Sequence, residues 1–207
     1  MTNTKSAPMA EDQRFDIIVV GGGPVGLTAA LALAVSVPGL AVALLDRRPV
    51  AVAKDAAHTD ARASAIAAGV RRVFSALGVW APMAAEANPI ARMRITDSGR
   101  SDIARPVLLA FDGPVDHGEP FAHMVPNQAS GAALLGAVQD DITVIAPADI
   151  SDWSAEGAFG GLTLGDGRVL AAPLIIAADG AQSNLRQRAG IDTIGHDYGQ
   201  MGLVATI

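Results

Sequence analysis

A glycine-rich turn between a β-branched run and an apolar alanine-leucine run constrains this chain more than any other feature. Asp16–Val20 has the composition of a buried parallel strand. Gly21, Gly23 and Gly26 follow it with the spacing G-x-G-x-x-G, and Val25 to about Val35 has helical composition. Strand, glycine turn and helix in this order are typical of a dinucleotide-binding βαβ unit.

Each glycine has a separate physical role in such a unit. Gly21 permits the tight turn out of the strand, Gly23 lets the backbone approach a pyrophosphate, and Gly26 lets the helix pack close to the sheet. The helix N-terminus then offers unpaired N–H groups and a partial positive charge to the phosphates. A glycine-rich turn in another kind of βαβ unit would show the same spacing, so the flanking residues decide between the two interpretations.

An acidic residue at the end of the next predicted strand supports the nucleotide interpretation. Pro38-Gly39 ends the helical region, and Ala41–Leu45 is predicted to be a second strand with Asp46 directly behind it. Asp46 lies 20 residues beyond Gly26, where a carboxylate can accept hydrogen bonds from an adenosine ribose. The pattern predicts a dinucleotide site without distinguishing NAD from FAD.

Composition excludes several classes of function. The 207 residues suffice for one large domain or two small ones, and half of them are hydrophobic. The formal net charge of −6 argues against general affinity for nucleic acid. The chain has no cysteine and four histidines without ligand spacing, so we expect no disulfide, iron–sulfur cluster or metal site. Residues 1–14 are polar and are predicted to be a disordered lead-in.

The middle of the chain is predicted to contain a helix and a pair of strands. Apolar residues recur at spacings of three and four over Asp60–Leu77, which predicts a helix that Gly78 ends. Arg62 would lie in its first turn and is a candidate ligand contact. Arg92–Asp97 alternates between polar and apolar residues, which predicts a half-buried strand, and Val107–Phe111 is predicted to be the returning strand.

The last third of the chain is predicted to be rich in strands. Gly165-Asp166-Gly167 between two short apolar runs is a hairpin signal. The predicted elements are a helix at Ala129–Gln139, a strand at Ile142–Ile145, a β-meander at Trp153–Leu174, a buried strand at Leu174–Ala178, a helix at Ser183–Ala189 and a strand at Gly202–Ile207.

A second strand, turn and helix start surrounds Asp179-Gly180. Asp179 follows a predicted buried strand, and open α/β sheets bind ligands at the carboxyl ends of their strands. Two such strand ends in one chain indicate one extended ligand that reaches both. Asp179 as a helix N-cap with Gly180 as a turn residue is an equally good interpretation of these residues alone.

Several segments together resemble a known family. The sequence A-D-G-x-x-S-x-x-R at Ala178–Arg186, downstream of the glycine turn, resembles the group A FAD-dependent aromatic hydroxylases. The match is closest to the ubiquinone-biosynthesis hydroxylases of the UbiH/UbiF type. Three further segments are similar to that branch and occur in its order: Asp60–Ile66 with Leu77–Trp80, Val125–Gln128 with Ala133-Leu134, and Asp197–Gln200.

The chain also departs from that family. Pro126 stands where glutamate is usual, Gln128 where arginine is usual, and Asp46 where the longer glutamate is commoner. The family's later G-D motif has no counterpart, because Gly165-Asp166 lies upstream of Asp179 in a predicted hairpin. The resemblance therefore implies that this chain corresponds to the N-terminal half of such an enzyme.

The resemblance implies a fold and a division into domains. The fold class is α/β, a Rossmann-like FAD-binding domain with a β-meander, plus strands of a partial substrate-binding sheet. Residues 15–80 and 117–190 would form the FAD-binding domain, and residues 81–116 and 191–207 the partial substrate-binding domain. The expected cofactor-binding residues are Gly21, Gly23, Gly26, Asp46, Arg47, Arg62, Gln128 and Asp179.

The resemblance also implies an activity. It implies an FAD-dependent monooxygenase that hydroxylates a polyprenylated phenol in ubiquinone biosynthesis, with NAD(P)H as electron donor. Because the cofactor carries the chemistry, no catalytic side chain is expected. A cytoplasmic location, peripheral contact with the inner membrane and a complex with other ubiquinone-biosynthesis proteins come with the family, and nucleic acid is not an expected partner.

Two other functions remain open from the sequence. One is a hydroxylase or reductase of the same superfamily that acts on another substrate. The other is a truncated, non-catalytic module that binds a nucleotide or a partner. We expect the 207 residues alone to bind FAD weakly or not at all, and to lack hydroxylase activity.

Overall fold

The computed structural model describes residues 14–49, 62–96, 106–115, 118–138 and 140–202. The predictions for the lead-in at 1–13 and for the last strand beyond Gly202 lie outside these residues. The described chain forms two compact units: residues 14–49 with 134–202, and residues 62–133 with the gaps just given. No helix within the described part is both long and apolar enough to cross a membrane.

A four-stranded parallel sheet is the centre of the first unit. Its strands are β1 (Ile17–Val20), β2 (Val42–Leu45), β8 (Ile142–Ile145) and β12 (Leu174–Ala177), in the order β12-β1-β2-β8. Helix α1 (Pro24–Ser36) connects β1 to β2. Every residue of β1 and β2 is buried, as their apolar sequences require. The predicted βαβ unit is confirmed.

The predicted β-meander is confirmed as a three-stranded sheet, and it packs against the parallel sheet. Its strands are β9 (Ile150–Glu156), β10 (Phe159–Leu164) and β11 (Val169–Ala172), in the order β11-β10-β9. Ile18 and Val20 of the sheet share one buried cluster with Leu162 and Leu170 of the meander. This shared core holds the carboxyl end of β1 in place. The fold is therefore the predicted Rossmann-like α/β arrangement with a β-meander.

Strand β12 differs from the prediction of a buried strand. Among the described strands it pairs only with β1, at the end of the strand order, and Leu174 is 49% exposed. Its apolar sequence indicated the strand correctly but not its partial exposure, which depends on its position in the sheet. Helix α5 (Asn184–Arg188) follows it, close to the predicted bounds.

The second unit contains a short antiparallel sheet that the sequence did not predict. Strands β3 (Ala63–Ala67) and β4 (Asn88–Ile90) lie on either side of β7 (Ala122–Pro126). The predicted helix over Asp60–Leu77 is therefore wrong in its first part, and only α2 (Ala68–Ala76) is helical. Pairing of β3 with β7 overrides the helical preference of its alanines. Two further helices are α3 (Trp80–Ala84) and α4 (Asn127–Gly136).

The predicted pair of strands in the middle of the chain is confirmed as a hairpin. Strand β5 (Arg92–Thr96) pairs antiparallel with β6 (Val107–Asp112). The half-burial predicted for the first strand is wrong, because every residue of β5 is exposed, as is every residue of β6. Leu108 is 64% exposed. The hairpin belongs to the same compact unit as residues 62–80 and 118–133. The assignment of residues 62–80 and 118–133 to the FAD-binding domain stays a prediction.

An ion pair joins α2 to the segment before β7. The Arg71 guanidinium donates to Glu119 over 2.6 Å, and Arg72 lies 3.4 Å from the other carboxylate oxygen. The hydrogen bond from Arg71, with the charges of both arginines, lowers the pKa of Glu119 below its ordinary value. These contacts favour the ionised carboxylate in the folded protein.

The lowered pKa of Glu119 predicts a pH-dependent contribution to stability. Ionised Glu119 stabilises the folded chain above the ordinary carboxyl pKa of 4.5, and the contribution is lost as the pH falls through the lowered folded-state pKa. We expect Glu119→Gln to reduce the free energy of unfolding at pH 7, and the difference from the unaltered chain to vanish in acid. Chemical denaturation across a pH series measures this. A difference that stays constant down to acid pH would contradict the ion pair.

Candidate nucleotide site at the carboxyl ends of the parallel strands

The glycine turn packs tightly against the ends of two strands. Gly21 has φ 116°, a conformation that favours glycine, and its amide donates to Leu45 O over 2.7 Å. A Cβ on Gly21 would overlap the carbonyl oxygen of Ala178, and one on Gly26 would overlap that of Gly21. Both glycines are therefore required by close packing, as the sequence predicted.

Gly23 has a different environment from its neighbours. It is the N-cap of α1 with φ −78°, and a Cβ there would meet no atom of the described residues within 4 Å. Among the described residues, no side chain caps the helix, and Pro24 occupies its first turn. The open space beside Gly23, together with the free amides of the first helical turn, fits an approaching phosphate.

Asp46 leaves β2 with its carboxylate held from two sides. One oxygen accepts the Gly22 amide over 2.6 Å. The other accepts the Arg48 amide over 2.7 Å and lies 3.4 Å from Arg48 Nε. The side chain of Asp46 remains 20% exposed. The predicted ribose acceptor is thus fixed next to the glycine turn.

Asp179 leaves β12 and holds the start of α5. Its carboxylate accepts the Ser183 hydroxyl and the amides of Asn184 and Leu185, over 2.8 and 3.3 Å for the amides. Partial burial acts to raise the pKa of Asp179, but these hydrogen bonds outweigh it and leave the pKa below its ordinary value. Ser183 is the N-cap, and its oxygen accepts the Arg186 amide. The N-cap is therefore Ser183 and not Asp179, although Asp179 holds the start of the same helix through these hydrogen bonds.

The turn and both acids line one cavity. Strands β1, β2 and β12 are parallel neighbours, so their carboxyl ends meet at one edge of the sheet. The cavity there has a volume of about 600 Å³. Five of the predicted cofactor-binding residues line it: Gly21, Gly23, Asp46, Arg47 and Asp179. This geometry supports the expectation that the ends of β1 and β12 contact one extended ligand.

Three predicted residues are not among the lining. Gly26 packs behind the turn against Gly21. Arg62 and Gln128 belong to the second unit. Arg62 directly precedes β3, so its predicted place in the first turn of a helix is wrong, and its carbonyl accepts the Asn127 amide over 2.9 Å. Gln128 lies in the first turn of α4. A cofactor contact by either residue stays a prediction.

The cavity also contains polar residues that sequence reasoning did not assign to the site: Arg48, Asp149, Gln182, Asn184 and Arg188. A local signal existed for Arg48, because an arginine two residues after an acid can turn back onto its carboxylate. Arg188 had no such signal, since only the placement of α5 brings it to this edge.

Comparison with known proteins agrees with this geometry. The family model described as "FAD binding domain" matches residues 14–207. The chain belongs to this family. The predicted resemblance to ubiquinone-biosynthesis hydroxylases is also confirmed. The chain is 34% identical over 199 residues to the ubiquinone hydroxylase UbiL of Rhodospirillum rubrum, covering 95% of the chain and 44% of the relative.

Two further comparisons extend this result. The mitochondrial ubiquinone biosynthesis monooxygenase COQ6 of Mus musculus is 31% identical, over 97% of the chain and 44% of the relative. The crystal structure of PqsL, described as a probable FAD-dependent monooxygenase from Pseudomonas aeruginosa, is similar with a TM-score of 0.71. It is 19% identical, over 89% of this chain and 48% of that one, and it supports the fold. The chain spans about half the length of the curated relatives it matches.

Proposed function

We propose that this FAD-binding chain forms the site for the adenosine diphosphate half of FAD in a monooxygenase of ubiquinone biosynthesis. The observation that carries the proposal is the single cavity in which the glycine turn meets Asp46 and Asp179. The relatives' names, a ubiquinone hydroxylase and a ubiquinone biosynthesis monooxygenase, support hydroxylation of a polyprenylated phenol.

The residues around the cavity fit this half of the cofactor. The pyrophosphate would lie in the open space beside Gly23, which a side chain at this position would fill. The N–H groups at the start of α1 would donate to its oxygens. Asp46 would accept hydrogen bonds from the ribose, and Arg47, exposed at the rim, would add positive charge. Bound FAD would supply the redox chemistry of oxygen activation, while these residues bind and orient it.

The electron donor and the cellular setting complete the proposal. The donor is NAD(P)H, and the phenol is reached by peripheral contact with the inner membrane from the cytoplasm, or within a complex of ubiquinone-biosynthesis proteins. Support for these points comes from the kind of relatives alone. The 207 residues by themselves are expected to show no hydroxylase turnover.

The proposal predicts that the chain selects FAD by its adenosine half. We expect equilibrium titration to detect weak binding of FAD and of ADP, competition between them, and much weaker binding of FMN, because FMN carries a phosphate but lacks the adenosine ribose that Asp46 would accept. Saturation-transfer NMR measures binding in this weak range. Gel filtration should remove the FAD. Equal binding of FMN and FAD, or no binding of FAD or ADP, would reject the proposed site.

A further inference from the structure

The carboxylate of Asp46 is restrained through both of its oxygens. Its two oxygens accept separate backbone amides, from Gly22 and from Arg48. The Arg48 side chain turns back so that Nε lies 3.4 Å from the same oxygen as its own amide. Asp46 therefore lies between the glycine turn and Arg48, which also lines the cavity.

Gly22 is part of the same arrangement. A Cβ on Gly22 would lie 2.9 Å from both the Cβ and a carboxylate oxygen of Asp46. The middle glycine of the run is thus required by the close approach of the acid. The G-x-G-x-x-G pattern by itself does not require glycine at this position.

We propose that Arg48 is a positioning residue for the adenosine ribose, acting through Asp46. The inference rests on the proposed function. Each carboxylate oxygen can accept two hydrogen bonds, and Gly22 N, Arg48 N and Arg48 Nε occupy three of the four positions on Asp46. One position therefore remains for a ribose hydroxyl, on the oxygen that accepts the Gly22 amide. A carboxylate already held in place loses less conformational freedom when it binds, which strengthens binding. The Arg48 side chain adds the restraint that the shorter aspartate needs.

The chain contains a matched control for this pair. Asp166 and Arg168 have the same spacing, with the Arg168 amide 3.1 Å and its Nε 2.8 Å from the Asp166 carboxylate. They lie in the turn between β10 and β11, and neither lines the cavity. Arg168→Gln therefore removes an equivalent exposed ion pair without touching the ribose acceptor.

The experiment compares ADP with its 2′-deoxy and 3′-deoxy analogues, titrated into the full chain and its variants. In the unaltered chain we expect the loss of the hydroxyl that Asp46 accepts to weaken binding about tenfold, as for a hydrogen bond to a charged group. In Arg48→Gln, ADP should bind about fivefold more weakly and the penalty for the deoxy analogue should shrink to about twofold. Arg168→Gln should match the unaltered chain, and Arg48→Gln should add nothing to Asp46→Asn.

The possible results distinguish failure of the positioning role of Arg48 from failure of the proposed function. Equal weakening of ADP and both deoxy analogues by Arg48→Gln would show an effect of charge on the phosphates and would overturn the positioning role. Unchanged ADP binding by Arg48→Gln would also overturn it. Failure of the unaltered chain to bind ADP would overturn the proposed function and the inference together.

Discussion

Replacing Gly26 by alanine is expected to lower the free energy of unfolding of the first unit, although alanine is the better helix former. Helix propensity alone favours Gly26→Ala by about 1 kcal/mol. The new Cβ would overlap the carbonyl oxygen of Gly21, which is backbone within the turn and cannot rotate away. Overpacking of this kind costs about 1–3 kcal/mol, and a clash with backbone belongs at the upper end. We expect a net loss of about 2 kcal/mol, a sizeable part of the roughly 5–15 kcal/mol that stabilises a typical domain.

Denaturant unfolding followed by far-UV circular dichroism measures this loss. Gly69→Ala is the matched control, because Gly69 is also helical, in α2, and a Cβ there meets nothing within 4 Å. That variant should be neutral or slightly stabilised. If Gly26→Ala were as stable as Gly69→Ala, the close contact of α1 with the glycine turn would be wrong.

Replacing Gly23 by alanine is expected to leave the stability of the fold unchanged and to weaken the binding of FAD and ADP. The φ of −78° suits any residue, and the new Cβ meets open space, so the free energy of unfolding should change little. The same Cβ would occupy the place that the pyrophosphate needs next to the amides of α1. We expect the affinity for FAD and ADP to fall at least about tenfold, which corresponds to 1.4 kcal/mol.

Titration with ADP and with adenosine measures the Gly23 effect and locates it. Adenosine lacks phosphate, so Gly23→Ala should leave adenosine binding unchanged while ADP binding falls. An equal loss for both ligands would mean that the substitution disturbs Asp46 or the wider cavity. Full retention of ADP affinity would place the phosphates elsewhere.

Local chemistry explains which parts of the fold were predictable. The glycine spacing, the β-branched run before it and the Gly165–Gly167 hairpin each depend on neighbouring residues, and each was found in the structure. The helix prediction for Ala63–Ala67 was wrong because the apolar spacing of this segment fits a helix as well as a strand. Its pairing with Ala122–Pro126, far along the chain, decided the outcome.

The sequence by itself determined the glycine turn, the acid at the end of β2 and the resemblance to the family, because these rest on residues close together in the chain. Only the tertiary structure decided that Ala177 lies beside Val20, which brings Asp179 to the same cavity as Gly21. It also decided that the amides of Gly22 and Arg48 hold Asp46. The physical reason is that strand order and side-chain restraint arise from long-range pairing and packing, which no local pattern of residues encodes.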